Sequence, residues 1–520
     1  MKSATRSFLP VLPSETAAAP SPAAAAAASD NIRISLVTLG CDKNTVDSER
    51  VQARLASAGA QLGGAPEDAD VIVVNTCGFI EAAKEESIEA LLDAVRLKQG
   101  GRVQAVVAMG CLVQRYEEEL REELPEVDLF ISLTQIEQLV PSLRARGLLA
   151  PVTNMQQPLR RLSTATRYTS YLKVSEGCDH TCAFCAIPLM RGKHRSTPIE
   201  QLIGEAQELE RSGIVELNLI SQDTTWYGRD LVRGLAGATQ SFSGRTFKGM
   251  KGITQVETLA RTEVADEYAG RRHGLLDDLL ESLARETAIP WLRLFYMYPS
   301  GVSRELVELM AREPRILPYL DLPIQHGSDR ILEKMRRPER RATILERVGW
   351  LRDAVPDLSL RTTVIVGFPG ETDDDFNAML DLLEQVRFDY LGAFPYSIEE
   401  DTPAATMSDQ VPDWLKRERL EELLERQAAI TQEKNEVRVG SVVPVLIDRL
   451  TGRDSQLKNV STDRGAVART RGQALEVDGV VHIADAAGVK PGTFAMAKLT
   501  GTVDSDFRGE VVGQSDGTGS

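Results

Sequence analysis

The sequence has few of the features that mark several protein classes. Six cysteines in 520 residues are too sparse for a secreted disulfide scaffold, and they favour a reducing cytoplasm. No apolar run reaches the roughly 18 residues that a transmembrane helix needs. Acidic residues outnumber basic ones, which gives a net charge of -16. This charge disfavours a strong nucleic-acid footprint and suits a basic partner protein.

Three of the cysteines lie on one short loop between residues 175 and 185. At the spacing C-x3-C-x2-C they are Cys178, Cys182 and Cys185. Three thiolates can bind three irons of a cubane cluster and leave the fourth iron open to a ligand. A structural zinc site is the alternative, and it requires a fourth ligand such as His180 or His194. The loop resembles the signature of radical S-adenosyl-L-methionine (SAM) enzymes, in which the open iron binds SAM.

The other three cysteines each follow a predicted strand in the region 31–145. The predicted strands are 32–39, 71–76 and 103–110, with helices near 44–59 and 81–98. The cysteines at their ends are Cys41, Cys77 and Cys111. Apolar strands alternating with helices indicate a parallel α/β sheet, whose strands end at one edge, where such sheets bind ligands. We therefore expect a second cluster held by three thiolates; three buried core residues are the alternative.

A second α/β domain is predicted over 166–405. Its predicted strands are 171–174, 215–221, 291–298, 319–324, 359–366 and 390–396, and its helices lie near 198–212, 274–286, 303–312, 329–353 and 373–387. Six units predict a partial (β/α) barrel, whose chemistry lies on the loops after the strands. Three strand-end residues are therefore candidate SAM contacts, with turn chemistry as the alternative: Gln222, Gln325 and His326. Thr372 followed by Asp375 predicts a capped helix N-terminus.

The remaining segments carry no predicted chemistry. Four of these segments are expected to lack regular packing. They are a disordered Ala- and Pro-rich tail at 1–30, a linker at 146–165, an insertion forming a mobile surface loop at 229–273 and a disordered tail at 511–520. A charged connecting helix is predicted at 410–438 and a small β-barrel at 440–510. Such barrels often bind RNA, but this one carries as many acidic as basic residues. A protein-docking role is therefore open.

This α/β multidomain architecture resembles the methylthiotransferase family of radical SAM enzymes. The resemblance spans about 31–510, and its motifs are Leu39–Asn44 with Val46–Glu49, Val74–Ile80, Ser175–Cys185 with Ile187-Pro188 and Arg191-Gly192, Leu317–Pro323 and Val366–Thr372. It implies an auxiliary 4Fe-4S cluster on the first three cysteines, a radical SAM 4Fe-4S cluster on the loop cysteines, and a TRAM-like barrel. It also implies that one SAM methylates sulfur at the auxiliary cluster and that a second is cleaved to a 5′-deoxyadenosyl radical.

Within the family, the details are most similar to the enzymes that methylthiolate an aspartate β-carbon of the twelfth small-subunit ribosomal protein. According to this resemblance, the partners are the ribosomal protein, an electron donor and a sulfur source. A membrane is not among the expected partners. An aliphatic C–H beside a carboxylate is too weakly acidic for general-base chemistry, so a radical cofactor must carry that step. A tRNA-adenosine methylthiotransferase is the alternative, which the acidic charge and the neutral barrel disfavour. A non-enzymatic iron–sulfur or zinc protein is a further alternative.

Overall fold

The computed structural model describes residues 32–149, 161, 168–232, 274–451, 465–486 and 488–517. The predictions for the tail at 1–30, for most of the linker and for residues 233–273 of the insertion lie outside these residues. The chain divides into two compact units. The first contains the described residues up to Tyr171, a boundary that falls within the strand Thr169–Lys173 described below, together with Cys185–Lys193 and Glu399–Asp401. The second contains the other described residues.

The first unit is built on a five-stranded sheet. Its strands are β1 (Arg33–Thr38), β2 (Gln61–Leu62), β3 (Val71–Thr76), β4 (Ala105–Gly110) and β5 (Leu129–Ser132). Its helices are α1 (Asp42–Ser57), α2 (Glu81–Gln99), α3 (Cys111–Glu123), α4 (Leu139–Ala145) and α5 (Ile187–Arg191). The strand order is β2-β1-β3-β4-β5 and every pair is parallel, as predicted. The sequence analysis identifies the three central strands but not the short outer strands β2 and β5.

Helices cover both faces of this sheet, and β3 shows why. Val71 and Val73 pack on one face with apolar residues of α1 and α4. Ile72 and Val74 pack on the opposite face with residues of α2 and α3. Successive side chains of a strand point to opposite faces, so a strand buried on both faces is apolar along most of its length. The continuous apolar runs in the sequence therefore correspond to a sheet between two helical layers.

The second unit contains an open sheet of six strands, which confirms the predicted number of β/α units. Its strands are β6 (Thr169–Lys173), β9 (Glu216–Ile220), β10 (Trp291–Leu294), β11 (Ile316–Asp321), β12 (Ser359–Val366) and β13 (Tyr390–Pro395), in the order β13-β12-β11-β10-β9-β6. A short hairpin is formed by β7 (Ser175–Glu176) and β8 (Arg195–Ser196). The helices are α6 (Ile199–Arg211), α7 (Leu276–Glu286), α8 (Arg304–Arg312), α9 (Asp329–Lys334), α10 (Arg341–Ala354) and α11 (Asp373–Val386).

One predicted helix of this unit is wrong. The stretch predicted as a single helix over 329–353 forms two helices, α9 and α10, separated by residues 335–340. Arg336 has a positive φ of 57°, and Pro338 lacks the N–H that a continuous helix requires. The break matters because it carries Arg337, a residue of the candidate site. The predicted cap is confirmed: Thr372 and Asp375 form a capping box at the start of α11.

The C-terminal part of the second unit is a helix followed by a closed barrel. Helix α12 (Asp413–Arg438) precedes β14 (Val442–Thr451), β15 (Gly465–Thr470), β16 (Val481–Ile483), β17 (Phe494–Val503) and β18 (Asp506–Gln514), which close in the order β14-β15-β16-β18-β17. The prediction of a disordered tail from residue 511 is wrong for 511–514. Phe507 is the one large buried side chain of β18, so the strand has a weak apolar pattern. No helix in the described ranges combines the length and apolar character needed to cross a bilayer.

The barrel and the six-stranded sheet share a buried network of ion pairs. Glu216 of β9 accepts a hydrogen bond from Arg293 of β10 at 2.9 Å and one from Arg469 of β15 at 2.6 Å. Arg469 also donates to Asp448 of β14 at 2.8 Å. All four side chains are buried. Because a buried charge without a partner is very unfavourable, this network ties the barrel to the sheet.

Candidate active site

Three cysteines lie at the carboxyl ends of three adjacent strands of the first unit. Cys41 is the residue before α1, Cys77 directly follows β3, and Cys111 is the first residue of α3, directly after β4. Strands β1, β3 and β4 are neighbours in the sheet. The structure therefore brings the three strand ends to one edge, as the sequence analysis expects. Cys41 is exposed, whereas Cys77 and Cys111 are buried.

Glycines next to the cysteines allow this close approach. Gly40 has a φ of +90°, and a Cβ atom there would lie 2.7 Å from Cys77 Cβ and 2.9 Å from its Sγ. Gly110, with a φ of +107°, would place a Cβ atom 2.4 Å from the carbonyl oxygen of Thr76. A residue with a side chain would be strained at both positions and would also collide with the neighbouring strand end. The two glycines are thus required by the geometry of the site.

Polar side chains connect these strand ends to α5. The amide of Asn44 donates to the carbonyl oxygens of Leu39 at 2.8 Å and Thr76 at 3.1 Å. Its Oδ1 accepts a hydrogen bond from Arg191 Nη2 at 2.6 Å and lies 3.7 Å from Cys111 Sγ. Arg191 also donates to Asp47 at 3.1 Å. A buried cation is therefore held beside the cysteine-bearing strand ends.

The charges around Cys77 and Cys111 bear on what the site can bind. Burial raises the pKa of the Cys77 thiol to about 11 and that of Cys111 to about 12, and nearby Cys41 adds to both shifts. The Arg191 guanidinium acts in the opposite direction and partly offsets the rise in both pKa values. Because metal ligands must be thiolates, a neighbouring positive charge favours the ligating form. Three soft thiols beside a buried cation fit an iron–sulfur cluster.

The loop cysteines have a different environment. Cys178 and Cys182 are buried in the second unit, and Cys185 is half-buried. Cys182 Sγ lies 3.6 Å from the Tyr298 hydroxyl and 3.9 Å from Arg337 Nη1. No disulfide joins any of the six cysteines, all of which the structure describes. Donor groups directed at Cys182 suit a thiolate that carries the negative charge of a bound cluster.

The two histidines of the zinc alternative have partners in the protein. His180 Nε2 lies 2.7 Å from the Asp223 carboxylate, and its ring stacks on Tyr298. His194 Nε2 lies 3.1 Å from the Ser196 hydroxyl, and burial lowers the pKa of this imidazole. Within the described ranges, no three His, Cys, Asp or Glu side chains are grouped to hold one metal ion. A cubane instead distributes its cysteines over separate irons.

The structure distinguishes among the three candidate SAM contacts. His326 is fully buried; its Nδ1 accepts from the Ser328 N–H at 3.0 Å, and its Nε2 lies 3.2 Å from Glu371. Both ring nitrogens are thus used within the protein, which favours the turn alternative for this residue. Gln325 is half-buried and has a left-handed φ of 67°. Gln222 donates from Nε2 to Glu176 at 3.2 Å, and its buried Oε1 has no hydrogen-bond partner among the described residues.

A cavity of about 440 Å³ in the second unit borders the cysteine loop at residues 179–181. Four arginines contribute to its wall: Arg229, Arg336, Arg337 and Arg340. Arg337 reaches from this wall to Cys182. The three candidate SAM contacts are not part of the wall.

Several residues of the site were not identified from the sequence. Arg191 and Asn44 lie in the motifs of the family resemblance, but their proximity to the strand-end cysteines is visible only in three dimensions. Tyr298 is the last residue of the predicted strand 291–298 and Asp223 follows the predicted strand 215–221, so a strand-end position is the sequence signal for both. Arg337 lies in the stretch predicted as helix, so nothing in the sequence pattern pointed to it.

Comparison with known proteins matches three parts of the chain to families. Residues 33–132 match a family described as "Uncharacterized protein family UPF0004", residues 172–383 match the radical SAM superfamily, and residues 439–512 match the TRAM domain. The six-stranded sheet with its cysteine loop is therefore a radical SAM domain. Enzymes with this domain use a 4Fe-4S cluster and SAM.

Similar curated proteins define the family more narrowly. The "Ribosomal protein uS12 methylthiotransferase RimO" of Symbiobacterium thermophilum is 40% identical over 92% of this chain and 91% of its own length. The protein of that name from Anaeromyxobacter sp. (strain K) is 41% identical over 92% of this chain and 93% of its own length. The one from Desulforudis audaxviator is 39% identical over 92% of this chain and 97% of its own length. The chain belongs to the RimO family of radical SAM methylthiotransferases.

Proposed function

We propose that this chain adds a methylthio group to the β-carbon of an aspartate in ribosomal protein uS12. The observation that carries the proposal is the 40% identity to a uS12 methylthiotransferase over 92% of the chain. The arrangement of cysteines supports it, because two separate sets of three thiols are what two clusters would need. The acidic net charge of -16 also suits a basic ribosomal protein as substrate.

Two 4Fe-4S clusters are part of the proposal. The auxiliary cluster is assigned to Cys41, Cys77 and Cys111, and the radical SAM cluster to Cys178, Cys182 and Cys185. When bound, these groups and SAM supply radical formation and a methylthio group for transfer. The protein residues hold and shield them: burial of Cys77 and Cys111 excludes water.

Arg191 and Asn44 position the auxiliary site. Arg191 Nη2 holds Asn44 Oδ1 at 2.6 Å, and Asn44 in turn connects the ends of β1 and β3 through its two carbonyl contacts. Positive charge from Arg191 offsets part of the negative charge that three thiolates bring into a buried site. This contact keeps the strand ends in place when the ligand set is charged.

Gln222 and Gln325 are the proposed SAM contacts. The buried and unpartnered Oε1 of Gln222 is an acceptor that an ammonium group such as that of SAM can satisfy. Gln325 lies at a strand end with an unusual backbone conformation, which is often found at functional sites. His326 is proposed instead to position the 326–328 turn through Ser328 and Glu371.

The proposed reaction takes place in the cytoplasm with an electron donor and a sulfur source as additional partners. Support for this compartment comes from the six cysteines, none of which forms a disulfide. A reducing compartment would keep the thiols available as ligands. The substrate would also be found there as part of the small ribosomal subunit or before its assembly.

A side-by-side assay tests the proposed function. The full chain is reconstituted anaerobically with iron and sulfide and given SAM and a strong reductant. Purified uS12 and unmodified tRNA are offered together, and both are analysed by mass spectrometry. A methylthio group on a uS12 aspartate supports the proposal. A methylthio group on adenosine would instead assign the chain to tRNA modification, and a colourless protein with bound zinc would contradict the enzyme altogether.

A further inference from the structure

A buried group of side chains surrounds Cys182 and has no assigned role. Arg337 is 3% exposed, and its guanidinium carbon lies 3.8 Å from the centre of the Tyr298 ring. Nη1 of Arg337 lies 3.9 Å from Cys182 Sγ, and the Tyr298 hydroxyl lies 3.6 Å from the same sulfur. One cation and one hydroxyl therefore approach a single cysteine sulfur from within the fold.

The rest of the network holds these two groups in place. Arg337 Nη2 donates to Glu339 at 2.8 Å and to the carbonyl oxygen of Pro323 at 2.9 Å. On the other side, the Tyr298 ring is stacked by His180 at 4.1 Å. The break between α9 and α10 brings Arg337 and Glu339 to this position. Both side chains are buried, and the two hydrogen bonds from Arg337 Nη2 fix the orientation of the guanidinium at the cavity wall.

The direction of the hydrogen bonds follows from the chemistry of the sulfur. A cysteine that binds iron is a thiolate and carries no proton. The Tyr298 hydroxyl and the Arg337 N–H must then both be donors, and Cys182 Sγ the acceptor. Hydrogen bonds to cluster sulfurs and nearby positive charge stabilise the more negative, reduced cluster, and this raises its reduction potential.

We propose that Tyr298 and Arg337 are positioning residues that set the reduction potential of the cluster bound through Cys182, with Glu339 limiting the effect of the Arg337 charge. The proposal rests on the proposed function, since it requires a cluster on the loop cysteines. Tyr298 and Arg337 each favour the reduced state, whereas the Glu339 carboxylate disfavours it. Changes to the hydroxyl and to the carboxylate should therefore shift the potential in opposite directions.

The test is a redox titration of the full-length, reconstituted protein, followed by electron paramagnetic resonance. The cluster at the loop is recognised as the signal that changes when SAM is added. For Tyr298→Phe we expect the ratio of reduced to oxidised cluster at a fixed potential to fall roughly tenfold, a shift of about 59 mV for one electron. For Glu339→Gln, which neutralises the partner of Arg337, we expect the ratio to rise.

Tyr319→Phe is the matched control. This substitution also removes a buried tyrosine hydroxyl from the second unit. The Tyr319 ring, however, lies 4.6 Å from the guanidinium of Arg293, whereas the Tyr298 ring contacts Arg337. The control should titrate like the wild type, and iron content with a thermal melt confirms that each variant is folded and loaded. Equal potentials in all four proteins, or shifts of the same sign for Tyr298→Phe and Glu339→Gln, overturn the inference. A wild-type protein without a SAM-sensitive signal would contradict the proposed function itself.

Discussion

Replacing Arg469 with methionine is expected to destabilise the second unit by about 3–5 kcal/mol. Arg469 donates to Glu216 and to Asp448 and is completely buried. Methionine keeps most of the side-chain volume but leaves two buried carboxylates with fewer partners. The cost arises from those carboxylates, because an unpaired buried charge is more unfavourable than the loss of a single contact.

The pKa of Glu216 gives the direction and the order of magnitude of the charge interactions that Arg469 and Arg293 make with it together. Burial alone would raise the pKa of Glu216, but Arg469 and Arg293 outweigh it and lower the pKa from 4.5 to about 2. At about 1.36 kcal/mol per pH unit, the shift corresponds to roughly 3 kcal/mol. Because the folded-state pKa is lowered, this stabilisation is present above pH 4.5 and is lost as the pH falls towards 2. The deficit of the variant should therefore be largest at neutral pH and narrow below pH 4.5.

Urea unfolding followed by tryptophan fluorescence measures the effect. Trp291 is suited to this readout because it is buried, donates to the carbonyl oxygen of Gly517 at 2.8 Å and lies 5.1 Å from the Phe494 ring. Arg508→Met on the exposed side of β18 is the control, with an expected change of about 0.5 kcal/mol or less. An Arg469→Met deficit below about 1 kcal/mol, or one that does not change with pH, would refute the reasoning.

Three further outcomes follow from the structure. Gly40→Ala should halve the iron bound after reconstitution, because the added Cβ would collide with Cys77. The control is Gly59→Ala, which has a similar φ of +94° but nothing within 4 Å and should keep its full iron content. Equal iron contents in the two variants would contradict this prediction. Thr372→Ala should lower stability by about 1 kcal/mol in a thermal melt through loss of the α11 cap, and Thr372→Ser should not. Chelation of iron should leave the unfolding of the barrel unchanged when Trp291 is the only remaining tryptophan of the four, because the contacts of Trp291 involve no cysteine.

Local sequence patterns were sufficient for the strands that carry the cysteines. The apolar run Val71–Val74 leads into Asn75 and Thr76, and all six residues of this strand are buried. The position of Cys77 directly after that strand then follows from chain continuity alone. The same reasoning located Cys41 and Cys111 at strand ends. This is why the grouping of the three cysteines was predictable before any contact was known.

Hydrophobic patterns in the sequence did not predict the structure correctly where a single residue breaks a helix or where a strand has few apolar residues. The 329–353 region keeps a helical pattern across Pro338, so the break between α9 and α10 was missed. Strand β18 has one large buried apolar residue, Phe507, among charged and small residues. Its pairing with β17 and β16, rather than its own composition, makes it a strand.

Contacts between distant parts of the chain could not be predicted from one sequence. Arg191 and Asn44 are 147 residues apart, and Arg337 and Cys182 are 155 residues apart. Arginine and asparagine are common on protein surfaces, and only the fold shows that these three side chains are buried beside cysteines. The residues that adjust the charge of a site are therefore harder to find from one sequence than a set of regularly spaced cysteines.

The most direct test of the account compares two cysteine variants in one assay with uS12 as substrate. SAM cleavage and methylthio transfer are measured together for Cys77→Ala and Cys182→Ala. We expect Cys182→Ala to abolish SAM cleavage, because the loop cluster is lost. We expect Cys77→Ala to cleave SAM still but to transfer no methylthio group. A Cys77→Ala enzyme that still modified uS12 would contradict the assignment of a second cluster to Cys41, Cys77 and Cys111.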